Sequence, residues 1–406
     1  MSKNIWILNH YALTPEMSGG TRHYDFAKEL IKRGYNVTII ASSFHYSKYK
    51  EMKSYKKNED FIKEEIDGIT FIWFKTPAYR GNGVDRILNM LNYMKKSIIL
   101  LPKIKLEKPD IIIGSSVHLF AVMAAYRLSK KYKVPFIMEV RDLWPQTLID
   151  LGISKWHPFI LLLGRMERFL YKKADKIVTS LPRANIYIKT LNIKEDKIIW
   201  ISNGTAIRED ENFVIKLDKN KFNVLYTGSH GLANDLQLLL KAVKMLKENE
   251  EIHFTLVGDG PLRDKLIKEA EKSKLNNITF ISSVAKNEVF EYLKSADLLY
   301  VGLKNLPLYK YGMSMNKVFD YFSSQKPILF VSNIEENIVD IANAGKVIKN
   351  AKIKDIVESI VDFSQKNKKE LNILGKNGFN YLLENFTIKV LTNKWENLFE
   401  EIIDKD

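Results

Sequence analysis

Cysteine is absent from the 406-residue chain, which excludes a disulfide framework and a thiolate-held metal. No apolar run approaches the ~18 residues needed to cross a bilayer. The apolar start Ile5–Leu8 ends at Asn9-His10, too short for a signal peptide, so a cytoplasmic protein is expected. Neither the Walker pattern nor G-x-G-x-x-G occurs, which argues against a P-loop NTPase. The seven histidines show no paired ligand spacing, so no metal site is expected.

What is present is the composition of a soluble globular protein, 46% hydrophobic and 27% charged. The length exceeds one compact core, and two domains are expected. The net charge of +15 is uneven: residues 1–210 carry 35 Lys/Arg against 21 Asp/Glu, and the remainder 28 against 27. This asymmetry points to an anionic partner for the first half, a membrane surface, a lipid phosphate or nucleic acid. The basic residues are dispersed and no nucleic-acid motif accompanies them, so nucleic acid is set aside.

Short apolar runs alternate with helical patterns. Ile5–Asn9, Tyr35–Ser42, Ile69–Lys75, Asp110–Ser115, Pro135–Val140, Lys176–Ser180 and Ile198–Ser202 read as strands in the first half. Phe222–Gly228, Ile252–Gly258, Asn277–Ser282, Leu298–Leu303, Ile328–Ser332 and Lys346–Ile348 repeat the rhythm in the second. Doubly buried strands separated by helices predict α/β domains with mainly parallel, doubly wound sheets. The expected division is a domain at 1–204, a polar linker at 205–220, a second domain at 221–384 and a final amphipathic helix at 385–406. Two such domains would leave a cleft at the carboxyl ends of their strands.

Two amphipathic segments have two readings, a helix packed on a sheet and a basic helix lying in a membrane interface. In Val84–Leu101 the stripe is Val84, Ile87, Leu88, Leu91, Met94, Ile98 and Leu101. In Trp156–Lys173 it is Trp156, Phe159, Ile160, Leu163, Met166, Phe169 and Leu170. Core packing is favoured for both.

Residues able to do chemistry cluster after strands. Gly19-Gly20 lets backbone amides approach a ligand closely. His118 is placed to meet a sugar hydroxyl or a developing charge. In Glu139-Val-Arg-Asp-Leu-Trp-Pro145, Arg141 and Asp142 either orient a substrate or pair with each other. Gly228, Gly258 and Gly260 precede helices, where a phosphate or base meets the backbone. In Gly312–Pro327 a loop enters a helix with Ser314 and Asn316 as N-cap candidates, leaving free amides for a phosphate. Asp320, one turn on, suits a ribose diol. An ordinary capped helix is the alternative reading of that segment.

Taken in order, these motifs resemble the retaining family-4 glycosyltransferases of GT-B fold, and within them the bacterial branch building lipid-linked O-antigen or capsule repeats. The resemblance rests on Gly19-Gly20, Val-Arg-Asp-Leu-Trp-Pro145, Ala174-Asp-Lys-Ile-Val178, Ile201-Ser-Asn-Gly204, Leu256-Val-Gly-Asp-Gly-Pro261, Asn277-Ile-Thr-Phe280, Ala296-Asp297 and Lys317-Val-Phe-Asp320 with Lys-Pro327. It implies two Rossmann-like domains facing across a cleft, with the last helix crossing back to the first. It implies a UDP-sugar co-substrate, no cofactor and no obligatory metal. It also implies a polyprenyl-diphosphate-linked saccharide acceptor and peripheral association with the cytoplasmic membrane through the basic N-terminal domain. Carried over, His118, Arg141 and Asp142 are the catalytic candidates. Gly19, Gly20, Gly228, Gly258, Gly260, Val284, Ser314, Met315, Asn316, Lys317 and Asp320 are the donor-binding ones. The family's two glutamates, eight positions apart, are here Gly312 and Asp320. A UDP-sugar 2-epimerase and a non-catalytic scaffold of the same fold are the alternatives.

Overall fold

The computed structural model describes residues 2–17, 19–207 and 214–403. Residues 208–213 of the anticipated linker and 404–406 of the final segment lie outside the described residues. The chain forms two compact units, Met1–Asn203 with Ile388–Asp406, and Gly204–Thr387.

The first unit holds an eight-stranded sheet in the order Ile198–Trp200, Lys176–Thr179, Phe136–Val140, Ile111–Ser115, Asn4–Leu8, Asn36–Ser42, Ile69–Phe74 and Phe61–Ile66. All neighbours are parallel except the last pair. The edge strand Phe61–Ile66 was not among the expected strands. Three charged residues, Lys63, Glu64 and Glu65, interrupt it, so it lacks the continuous apolar run of a doubly buried strand. Its turn is Asp67-Gly68, both at positive φ (51° and 78°), the pairing a tight hairpin requires.

Chain order reverses between Asn4–Leu8 and Ile111–Ser115. In a parallel sheet the crevice for a ligand opens at such a reversal, beyond the strand ends. The residues delivered there are Asn9-His10 and Ser116–His118. The second unit has one six-stranded sheet in the order Ile278–Ile281, Ile252–Val257, Phe222–Thr227, Leu298–Gly302, Ile328–Val331 and Gly345–Ile348, all parallel. Its reversal lies between Phe222–Thr227 and Leu298–Gly302, which deliver Gly228 and Leu303-Lys304.

The helix Ile388–Ile403 belongs to the first unit. Ile388, Leu391, Trp395, Leu398, Phe399 and Ile402 follow helical spacing, and all are buried in that unit's core beside Phe26 and Ile5. Each such side chain contributes about 1.5–3 kcal/mol of burial. The Trp395 ring meets Phe26 edge-on at 6.2 Å, and Arg33 bonds both Glu29 and Glu396.

The helix Val84–Leu100 buries a different face from its apolar stripe. Asn89, Met90, Tyr93 and Ser97 are inside, whereas Val84 and Leu88 are exposed. Two of the polar groups that turn inward have partners: Asn89 Nδ2 donates to Thr76 Oγ1 and the Pro77 carbonyl, and Tyr93 Oη donates to the Ile40 carbonyl. Satisfied hydrogen bonds remove the penalty that hydrophobicity alone assigns to them.

Candidate functional site

In the first unit, His118 follows Ile111–Ser115 and caps the helix Leu119–Tyr132, its Nδ1 accepting from the Ala121 amide at 3.2 Å. Its Nε2 lies 2.6 Å from His10 Nδ1. Both rings are buried. Burial holds both neutral, His118 pushed down to about 3 and His10 well below its ordinary value, with Arg86 adding to the effect. The tautomers follow from valence. His118 Nδ1 is an acceptor, so its proton is on Nε2 and is donated to His10 Nδ1. The proton of neutral His10 is then on Nε2, which has no hydrogen-bond partner among the described residues. His10 is stacked on Tyr93 at 4.3 Å and 5°, which fixes where that N–H points. His118 therefore does not present a free nitrogen, as expected of it, but orients His10.

A second buried cluster surrounds Glu139. Arg22 Nε donates to Glu139 Oε1 at 2.8 Å, and His23 Nε2 lies 2.6 Å from Oε2. Asn9 Nδ2 lies 2.7 Å from His23 Nδ1. Arg22 also donates to the Ser202 and Ile201 carbonyls and to Asn203 Oδ1. Burial pushes the His23 imidazolium down, while His23 and Arg22 beside it hold Glu139 well below the carboxylate range despite its burial. One cation and one anion thus cancel, and His23 is a neutral bridge. The network ties the start of helix Arg22–Lys32 to the sheet, and with it Gly19-Gly20. Gly19 stands at φ 141°, and a Cβ there would lie 2.4 Å from Leu13 Cδ1. Gly20 is exposed beside it.

Arg141 is half-buried and Asp142 exposed. Among the described residues no ion pair joins them. The Arg141 backbone is pinned, its amide donating to Ser116 Oγ and its carbonyl accepting from Ser180 Oγ.

In the second unit the two glycine loops close on each other. A Cβ on Gly258 (φ 145°) would lie 1.9 Å from the Gly228 carbonyl oxygen, and one on Gly260 (φ 156°) would lie 2.8 Å from that of His230. Glycine is the only residue that permits this packing. Asp259, between them, accepts from the Ser283 amide and hydroxyl at 2.8 and 2.6 Å. This holds the turn carrying Val284, which packs with Met313 and Met315 on the apolar cluster around Val318. His230 is wholly buried, and burial with Arg263 nearby lowers it to about 4. Neither of its ring nitrogens has a partner among the described residues.

The helix Asn316–Ser323 begins at Met315 as N-cap with no side-chain cap. Neither Ser314 nor Asn316 fills the expected role. Asn316 is already helical and Ser314 stands too early. Lys317 reaches back to the sheet reversal. Its Nζ lies 3.0 Å from both Tyr226 Oη and Asn234 Oδ1, and 4.3 Å from the Tyr226 ring centre. A Cβ on Gly228 would lie 3.1 Å from that Nζ. Among the described residues no carboxylate pairs with Lys317, and burial lowers its ammonium to about 7. An uncapped helix start and an amine without a described carboxylate partner beside glycine loops are the chemistry that favours an anion. Asp320, half-buried one turn on, accepts from Thr205 Oγ1 at 3.0 Å. Among the described residues no group of three His, Asp or Glu is placed to hold a metal ion.

Arg22, His23, Glu139 and His10 were not singled out from sequence. One signal was present: a carboxylate inside the apolar strand Phe136–Val140 requires a buried cation.

The description "Glycosyl transferase 4-like domain" matches residues 19–204, and "Glycosyl transferases group 1" matches residues 207–381. A Pseudomonas aeruginosa protein named probable glycosyltransferase WbjE is 24% identical over 234 residues, 55% of this chain. The match spans 58% of that relative's length. The solved structure of Anabaena Alr3699/HepE in complex with UDP and glucose superposes with a TM-score of 0.69 at 12% identity, covering 98% of this chain and 100% of that one. WaaG, a glycosyltransferase involved in lipopolysaccharide biosynthesis, gives 0.65 at 14%, covering 98% and 99%. At these identities the structures speak for the fold alone.

Proposed function

The chain belongs to the glycosyltransferases of GT-B type, and we propose that it moves a sugar from a UDP-sugar to a lipid-linked saccharide, with retention at the anomeric carbon. The observation that carries this reading is Lys317, a half-buried cation that no carboxylate among the described residues pairs, at an uncapped helix start. The amides of Met315, Asn316 and Lys317, with the Lys317 ammonium, hold the diphosphate. Gly228, Gly258 and Gly260 admit the nucleotide to the backbone, Val284 offers its main chain to the base, and Asp320 receives the ribose diol. The first unit takes the acceptor, with Gly19-Gly20, His118 acting through His10, Arg141 and Asp142 around it. The sugar is an N-acetylated hexosamine and the product a surface-polysaccharide intermediate, a reading supported by the order of motifs along the chain.

In the reaction the bond from the anomeric carbon to the phosphate oxygen breaks through an oxocarbenium-like transition state. The charge growing on the departing UDP is met by fixed amides and Lys317. The acceptor oxygen bonds to the same face of the anomeric carbon, and its proton passes to the departing phosphate oxygen. No enzyme carboxylate is used as nucleophile.

Purified protein with UDP-N-acetylhexosamines and a polyprenyl-diphosphate saccharide releases UDP faster than either substrate alone. Release at background rates across that set defeats the transferase reading. Asp320→Ala weakens UDP binding by about 1–3 kcal/mol in calorimetry, the cost of losing charged hydrogen bonds. An unchanged affinity removes Asp320 from the ribose site. A non-catalytic scaffold is the second reading, favoured by Gly312. It stands at φ 81° where the family pattern has a carboxylate. UDP binding without turnover would select it.

A further inference from the structure

One face of the first sheet carries a single polar row. Trp6, Thr38, Thr70 and Glu65 are in register across four neighbouring strands, so their side chains share that face. The next row on the same face, Leu8, Ile40 and Ile72, is apolar and buried. A sheet covered on both faces ordinarily keeps every row apolar. Here the polar row floors a groove of about 590 Å³, walled by Lys63 of the edge strand and by Lys105, Leu106 and Glu107. That volume is usual for a small-molecule site. The groove lies at the amino ends of these strands, on the order of 15 Å along the sheet from His10 and His118.

The floor is rigid and its polar groups are uncommitted. Trp6 is 2% exposed, its ring edge-on to Tyr132 at 5.2 Å. Its indole N–H and the half-buried hydroxyls of Thr38 and Thr70 make no hydrogen bond among the described residues. Three polar groups lining one groove without protein partners are free to bond a ligand. The rim is held by bonds of its own. Lys63 Nζ donates to the Lys105 carbonyl at 3.2 Å, and Asn36 Nδ2 donates to Glu107 Oε2 at 3.3 Å and Asn4 Oδ1 at 2.9 Å. The charges balance, Lys63 and Lys105 against Glu65 and Glu107, and among the described residues no ion pair joins them.

We propose that this groove binds a short neutral saccharide, as a site separate from the one where transfer occurs. A sugar hydroxyl both donates and accepts. It therefore takes bonds from the Trp6 N–H, the threonine hydroxyls and the ammoniums, and gives bonds to the carboxylates, the charge-assisted ones being the stronger. A phosphate would gain from the lysines but meet Glu65 and Glu107, and a cation would meet the reverse. The inference goes beyond the proposed transfer, on which it rests only for its purpose. A saccharide chain held on the unit that takes the acceptor has a raised effective concentration there.

The test is titration of the full chain with diacetylchitobiose, lactose and maltotriose, read by tryptophan fluorescence and saturation-transfer NMR, with glucuronic acid and glucosamine as charged controls. At least one neutral saccharide binds, and more tightly than either charged sugar. Thr38→Val with Thr70→Val, which keeps side-chain shape, weakens that binding about tenfold or more, the effect of two lost hydrogen bonds. Trp6→Phe removes the N–H and abolishes the fluorescence change; a change that persists places the sugar elsewhere and overturns the proposal. Arg141→Gln leaves saccharide binding as in the parent. Loss in that variant, with the threonine variant unaffected, assigns the sugar to the acceptor site and also overturns it. So does a panel in which no neutral saccharide binds, or in which a charged sugar binds better. UDP affinity is measured by calorimetry on every variant and is unchanged in those of the groove. A parent that binds saccharide but not UDP defeats the transferase reading and leaves the groove standing.

Discussion

Glu139→Leu lowers the unfolding free energy of the first unit by about 3–5 kcal/mol, the cost of stranding one partner of a buried ion pair. Arg22 is 4% exposed and Glu139 fully buried, so the guanidinium left behind cannot recover its hydration. Its remaining acceptors, the Ile201 and Ser202 carbonyls and Asn203 Oδ1, are neutral dipoles. Denaturant unfolding of the single variants and of Arg22→Met with Glu139→Leu separates the pair from its parts. The double variant loses less than the sum of the singles, because no unpaired charge stays buried. Strict additivity would show that the two residues act independently. His23 adds no second unpaired cation, since burial already favours its neutral ring.

The second large effect falls on turnover. Lys317→Met lowers kcat by about 10²–10³, the magnitude for losing one preorganised donor to a developing oxyanion. The pH dependence gives the sharper test. In the empty site Lys317 loses its proton at about 7, and the diphosphate binds the ammonium form. Binding therefore raises the folded-state value and takes up a proton. UDP affinity is greatest below about 7 and falls as pH rises through it, by at most tenfold per unit. Calorimetry in buffers of different ionisation enthalpy detects that uptake. The Lys317→Met profile is flat above neutrality, and a variant retaining the parent's profile would assign the titration to another group.

Both positions show where sequence reading reaches and where it stops. The α/β pattern was legible because Ile111–Ile113 and Leu298–Val301 are continuous apolar runs, which only doubly buried strands require. Gly258 and Gly260 were legible because glycine before a helix has few other uses. Phe61–Ile66 was not, since an edge strand half in water looks like a charged loop. The partners of Glu139 come from residues 22 and 23, more than a hundred positions away, and no local spacing encodes that meeting. His118 was found by its place after a strand. Its bond to His10, which settles the protonation of both rings, needed coordinates. The cap at Met315 was missed because its side chain makes no capping hydrogen bond, and only the polar capping residues mark a helix start in sequence.

The helix Ile388–Ile403 has a consequence for how the protein is made. Its apolar face completes a core whose other walls include Phe26, Ile5 and Ile39, all synthesised well before it. All of Gly204–Thr387 is translated in between. At about 5–20 residues per second, the amino-terminal sheet waits on the order of ten seconds or longer with that wall open. During this interval the nascent chain displays the surface that chaperones hold. Of the two units, the one begun earlier is therefore the later to be finished.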